Sequence, residues 1–119
     1  MADEITVSAS IRGEKGGLKV SQTSKSIDVD MAGEDYEEGV QLIGTAEEAI
    51  TVGEITTPGY AMIINLDATN FVSIRGASGG ANTIKLLPGE FCVYRMGTAT
   101  PFAIADTAAC RIHKKIFEA

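Results

Sequence analysis

PGYAMIINLDATNFVSIRGASGGANTIKLLPGEFCVYRM, residues 58–96, holds the longest apolar runs and the plainest turn signals of the chain. Tyr60–Asp67 is almost continuously apolar, the pattern of a central strand covered on both faces. It stops at Leu66-Asp67-Ala68-Thr69-Asn70, where the Asp and Asn side chains can bond nearby backbone and hold a turn. Val72 and Ile74 then alternate with Ser73 and Arg75, which predicts one buried and one wet face. Gly76-Ala77-Ser78-Gly79-Gly80 predicts a hairpin tip, and Ile84 and Leu86 resume the alternation beyond it. Pro88-Gly89 is a turn dipeptide, because Pro fixes φ and Gly accepts a positive φ. Phe91–Tyr94 closes the block as a strand.

The flanks follow the same grammar. Ile5, Val7, Ala9 and Ile11 alternate with polar residues, and Gly13–Gly17 predicts a turn. Leu18 and Val20 start a second strand that is expected to dissolve in the polar stretch 21–26. A short third strand is expected at 27–31, an acidic loop at 32–39 and a fourth strand at 40–43. Thr45 and Glu48 fit a capping box, the only helical hint. The β-branched residues Ile50, Thr51 and Val52 limit it to one turn, and 49–52 is expected to be strand. Pro101–Ala105 predicts a further strand. In the last one, Cys110, Ile112 and Ile116 face inward and Arg111, His113 and Lys115 outward. Lys114 breaks the apolar side and predicts a bulge or a strand end near solvent. About nine short strands spaced by turn signals predict an all-β protein, an antiparallel jelly-roll-like β-sandwich with little or no helix. A length of 119 residues predicts a single domain over 1–119.

Composition limits the function. The net charge is −6, and it is unevenly placed. Residues 1–57 carry 12 acids and 4 bases, whereas 58–119 carry 4 acids and 6 bases. That balance argues against nucleic acid, which wants a basic stripe. It permits contact between copies, negative patch against positive patch. No apolar run approaches the roughly 18 residues that span a bilayer, so no membrane partner is expected. The acidic start Met1-Ala2-Asp3-Glu4 lacks the apolar core of a signal peptide. Two cysteines make no disulfide framework, and Cys92 and Cys110 are expected to be reduced and mostly buried.

Candidate chemistry is thin, and no catalytic, cofactor-binding or metal-binding residue is assigned. Asp28 and Asp30 begin like a calcium loop, but the fifth and twelfth positions are Ala32 and Gly39, where an oxygen ligand and Glu are wanted. Cys110 and His113 lie three apart, which on a strand points them to opposite faces. No nucleophile elbow or phosphate loop occurs, so no enzyme and no cofactor are expected. Apolar surface is more informative. Tyr60, Met62 and Ile64 share one face of their strand, and in 91–96 both faces are apolar. Either both faces are covered within the domain, or one meets another subunit, since a two-layer sandwich covers only one face of each sheet. Tyr60, Met62, Ile64, Tyr94 and Met96 are the candidate subunit or capsid interface.

Three stretches in order carry a resemblance: Gly59-Tyr60 followed by Ile64-Asn65-Leu66-Asp67-Ala68-Thr69-Asn70-Phe71-Val72, then Leu86-Leu87-Pro88-Gly89-Glu90-Phe91, then Ala105-Asp106-Thr107-Ala108. Together they resemble small virion structural proteins of tailed bacteriophages, over roughly residues 40–118. Cys110-Arg111-Ile112-His113 departs from the more apolar, acidic ending of those proteins. The resemblance implies a non-enzymatic part of the particle, assembled in the host cytoplasm. A capsid decoration (cement) protein bound to the major capsid protein or another virion protein fits it best. A tail or fibre module, or a domain binding host-surface carbohydrate, is the alternative; the absence of Trp makes sugar stacking the weaker case. Decoration proteins sit at symmetry axes, so a homotrimer is expected, with contacts through 58–96 and the termini held by neighbours.

Overall fold

The computed structural model describes residues 4–119. Its ten strands contain no helix among the described residues. They divide into two compact units, an N-terminal one ending at Ala32 and a second one over Gly33–Ala119. The sandwich occupies the second unit, and the first is a hairpin. Met1, Ala2 and Asp3, which the expectation of held termini includes, lie outside the described residues.

The first unit pairs β1 (Ile5–Lys15) with β2 (Leu18–Val29), from Ile5 opposite Val29 to Lys15 opposite Leu18. The turn is only Gly16-Gly17, shorter than expected, and Gly16 has φ 58°. A positive φ there matches the twist of a two-residue hairpin. The polar stretch 21–26 does not dissolve. It continues β2 through 27–29, so the expected second and third strands are one. Ser and Thr side chains suit an exposed strand, and pairing with β1 supplies the backbone bonds. The pairing carries a bulge: Ala9 faces Lys25 but Ile11 faces Gln22, so Thr23 and Ser24 share the place opposite Ser10.

The second unit is a jelly roll. Its strands are β3 (Tyr36–Ile43), β4 (Glu48–Ala49), β5 (Pro58–Asn65), β6 (Val72–Arg75), β7 (Asn82–Leu86), β8 (Phe91–Arg95), β9 (Phe102–Ala105) and β10 (Cys110–Glu118). One sheet has the order β3-β10-β5-β8 and the other β4-β9-β6-β7. β6 pairs β7, β5 pairs β8, β4 pairs β9 and β3 pairs β10, all antiparallel. The second unit is therefore one long hairpin, folded at 76–80 and rolled so that successive rungs fall in alternate sheets. Between the sheets lie Ile43, Ile63, Ile112 and Ile116 from one side, with Val72, Ile74, Leu86, Ala103 and Ala105 from the other. At 45–49 no helical turn forms. Glu48 Oε2 instead accepts from Gly44 N at 2.9 Å, and only Glu48–Ala49 pairs as strand. Gln41 draws Thr51 out of the ladder by accepting from its N at 3.0 Å.

Lys114 overturns its expectation. No bulge or solvent edge occurs there; the side chain points between the sheets and is 3% exposed. Its Nζ donates to Thr51 O at 2.6 Å, to Gln41 Oε1 at 3.1 Å and to Thr51 Oγ1, with Glu37 at 3.7 Å. Burial lowers its pKa, and the Glu37 charge opposes that. The inward polar side of β3 makes this tolerable, since a buried charge needs a partner and hydrogen bonds.

The three resemblance motifs meet at one corner. Asn65 is fully buried at the end of β5. Its Nδ2 donates to Asn70 O and Leu86 O, both at 3.0 Å, and its Oδ1 accepts from Asp67 N at 2.9 Å. The Asp67 carboxylate accepts from Asn70 N at 2.6 Å and Thr69 N at 3.0 Å, bonds that hold its pKa down. The Leu87–Glu90 turn closes with Glu90 N on Leu87 O at 2.9 Å, and Gly89 in it has φ 80°. Gly89 N donates to Asn65 O at 3.0 Å and Asn65 N to Glu90 O at 2.9 Å. Thr107 Oγ1 donates to Asn70 Oδ1 at 2.9 Å. Asn65→Ala leaves two carbonyls without donors in a buried corner, so it is expected to destabilise the sandwich by about 3 kcal/mol. Urea denaturation measures this; an unchanged midpoint would show the corner to be dispensable.

Candidate interaction surface

The sheet β3-β10-β5-β8 has two apolar faces. Alternation sends Ile43, Ile63, Ile112 and Ile116 inward, and their neighbours must point out. The register stacks these in rows. Val40, His113, Ile64 and Phe91 make one row, and Glu38, Lys115, Met62 and Val93 the next. Leu42 lies beside Arg111 and Tyr36 beside Phe117. Phe91 is 60% exposed, Val40 57% and Tyr36 67%. Met62 and Ile64 are half-buried. Down the middle, β10 presents Arg111, His113 and Lys115. Glu38 Oε2 lies 3.5 Å from His113 Nε2 and 3.7 Å from Lys115 Nζ. Arg95 stacks over the Tyr60 ring at 4.7 Å. The surface is therefore two apolar flanks with a polar seam of Arg111, His113, Lys115 and Glu38 between them.

Of the five candidate interface residues, the structure brings Tyr60, Met62 and Ile64 together on this outer face. It places Tyr94 and Met96 elsewhere. Tyr94 is opposite Ala61, on the inward side, and packs against the core; Met96 is in the core at 5% exposure. The outward members of the 91–95 strand are Phe91, Val93 and Arg95. Sequence alone also missed Tyr36, Val40 and Leu42. The signal was present, since Val40 and Leu42 alternate with Gln41 and Ile43, but an edge strand starting at Tyr36 lay hidden in an acidic stretch.

The remaining chemistry is quiet. Cys92 and Cys110 are free thiols, half-buried and buried. Burial pushes the Cys92 thiol up to about 11, and burial together with the nearby Cys92 pushes Tyr94 up to about 12. Both folded values are raised. The stability these groups leave intact at neutral pH is therefore lost as pH climbs past their ordinary values and through the folded ones. Cys110 points inward and His113 outward, so the pair shares no site. Among the described residues, no group of three or more metal-ligating side chains gathers, around Asp28 and Asp30 or elsewhere. Glu47 ties down the hairpin tip, accepting from Arg75 Nη1, Ser78 Oγ and Gly79 N, each at 2.7 Å.

Two measurements check this placement. At pH 8, alkylation of Cys92 in the native protein is expected to run about a hundredfold slower than in urea, because its thiolate is scarce. In dilute protein, Phe91→Ser and Val93→Ser are expected to shift unfolding free energy by no more than about 0.5 kcal/mol. Met96→Ala is expected to cost about 2–5 kcal/mol. Reversed magnitudes in urea titrations would put the core on the wrong side of the sheet. No protein-family model, no curated protein and no solved structure matches this chain.

Proposed function

We propose that this chain is a non-enzymatic structural protein of a tailed-bacteriophage particle, a capsid decoration protein that binds the shell as a homotrimer. The observation that carries the reading is the second apolar face, on β3-β10-β5-β8, whose exposed side chains have no role in the core. Burying such a face stabilises by roughly 25 cal/mol per Å², before association costs. The jelly roll supports the reading by analogy, since capsid domains use it, although lectin domains do too. The motif resemblance adds to it. All three motifs serve one structural corner, so what they carry is a way of folding and not a reactive site.

Quantitative mass spectrometry of purified particles tests the reading. Decoration requires copies on the order of hundreds, as symmetry repeats one contact over a shell. A few to a few dozen copies would move the chain to a tail or fibre, and none would remove it from the virion. Phe91→Asp with Val40→Asp is expected to abolish retention on the shell while leaving the circular dichroism spectrum unchanged. Undiminished retention would assign binding to another surface.

A further inference from the structure

We infer that the N-terminal hairpin is an exchange arm that docks on the acidic edge strand β3 of a second copy of this chain. This deepens the oligomeric half of the reading above and is independent of the particle half.

The arm is incompletely covered. A two-stranded hairpin alone is marginal in water. Here Ile11, Leu18 and Val20 line one side of its distal half, and Ile11 is 72% exposed. Across residues 10–25 the charge is positive, with Arg12, Lys15, Lys19 and Lys25 against Glu14 alone. Gly33–Ile43 is its complement. It carries Glu34, Asp35, Glu37 and Glu38 and no base; indeed no Lys or Arg occurs between Lys25 and Arg75. Glu37 and Glu38 have partners on β10, while Glu34 and Asp35 stand exposed at the entrance to β3. β3 is an edge strand, and its exposed Tyr36, Val40 and Leu42 repeat the alternation of the arm. Lengths also agree: at about 3.3 Å per residue, an 11-residue β1 reaches past an 8-residue β3.

A second copy is the occupant because one chain carries both halves of the complement, a cationic apolar ribbon and an acidic apolar edge. The two surfaces differ, so the contact is head-to-tail and closes a ring when the rotation permits. Opposite charge sets the register and speeds encounter, and the apolar residues supply the burial.

Charge reversal in the full-length protein tests this, read by sedimentation velocity. The wild type is expected to be oligomeric at tens of micromolar in low salt and to weaken at about 0.5 M NaCl, where screening is short-ranged. Arg12→Glu with Lys19→Glu, and separately Glu34→Lys with Asp35→Lys, are each expected to raise the dissociation midpoint at least about tenfold. All four changes in one chain are expected to restore it. All four side chains are exposed, and circular dichroism confirms that each variant folds. A monomeric wild type, an oligomer indifferent to both reversals, or a fourfold variant no better than its parents would overturn the inference. A wild type that forms this oligomer in solution yet is absent from purified particles would instead count against the particle reading alone.

Discussion

The buried amide of Asn65 is the constraint on which the sandwich depends. Its side chain lies on the inward face of β5, in one sheet, and donates to carbonyls at Asn70 and Leu86, beside and within strands of the other. The chain crosses between sheets twice near this point, once from β5 to β6 and once from β7 to β8. Each crossing leaves backbone groups that no ladder can satisfy. One amide, with two donors and one acceptor in use, serves both crossings. An Asp in its place would offer acceptors to acceptors, and an apolar residue would offer nothing.

The rest of the fold was legible to the extent that it was local. Period-2 alternation in 84–86, the Pro88-Gly89 turn and the tip at 76–80 encode their geometry in adjacent residues, whereas Ser73, expected on a wet face, is buried in β6 between β7 and β9. What escaped was decided at a distance. The polar run 21–26 is strand because β1 lies beside it, and nothing in its own composition says so. Lys114 looks like an interruption until Gln41, Thr51 and Glu37 are brought to it from the other end of the chain. Tyr94 and Met96 were placed by counting apolar residues on both faces of a strand. Only the register against β5 shows which face is the core.

The same limit applies to the interaction surface. Three of its residues could be found in the sequence because β5 is long and strongly apolar. Tyr36, Val40 and Leu42 lie among carboxylates, where the charge masks the alternation. That mixture suits an edge strand, since charge discourages indiscriminate pairing while apolar side chains stay available to a specific neighbour. The outward basic residues of β10 lie on the same face, with Glu38 beside His113 and Lys115.

The nested pairing of the jelly roll also bears on how the protein comes to exist. Each rung outward from the tip joins residues farther apart along the chain, ending with Tyr36 beside Phe117. Closing such loops costs entropy before the contacts repay it, so a fold of this kind forms slowly. The N-terminal hairpin carries no such burden, because its partners are neighbours across two glycines and hairpins form within microseconds. On a growing polypeptide the arm is made first and the last strand, β10, completes both the core and the outer face together. The outer face is therefore finished only when the core is.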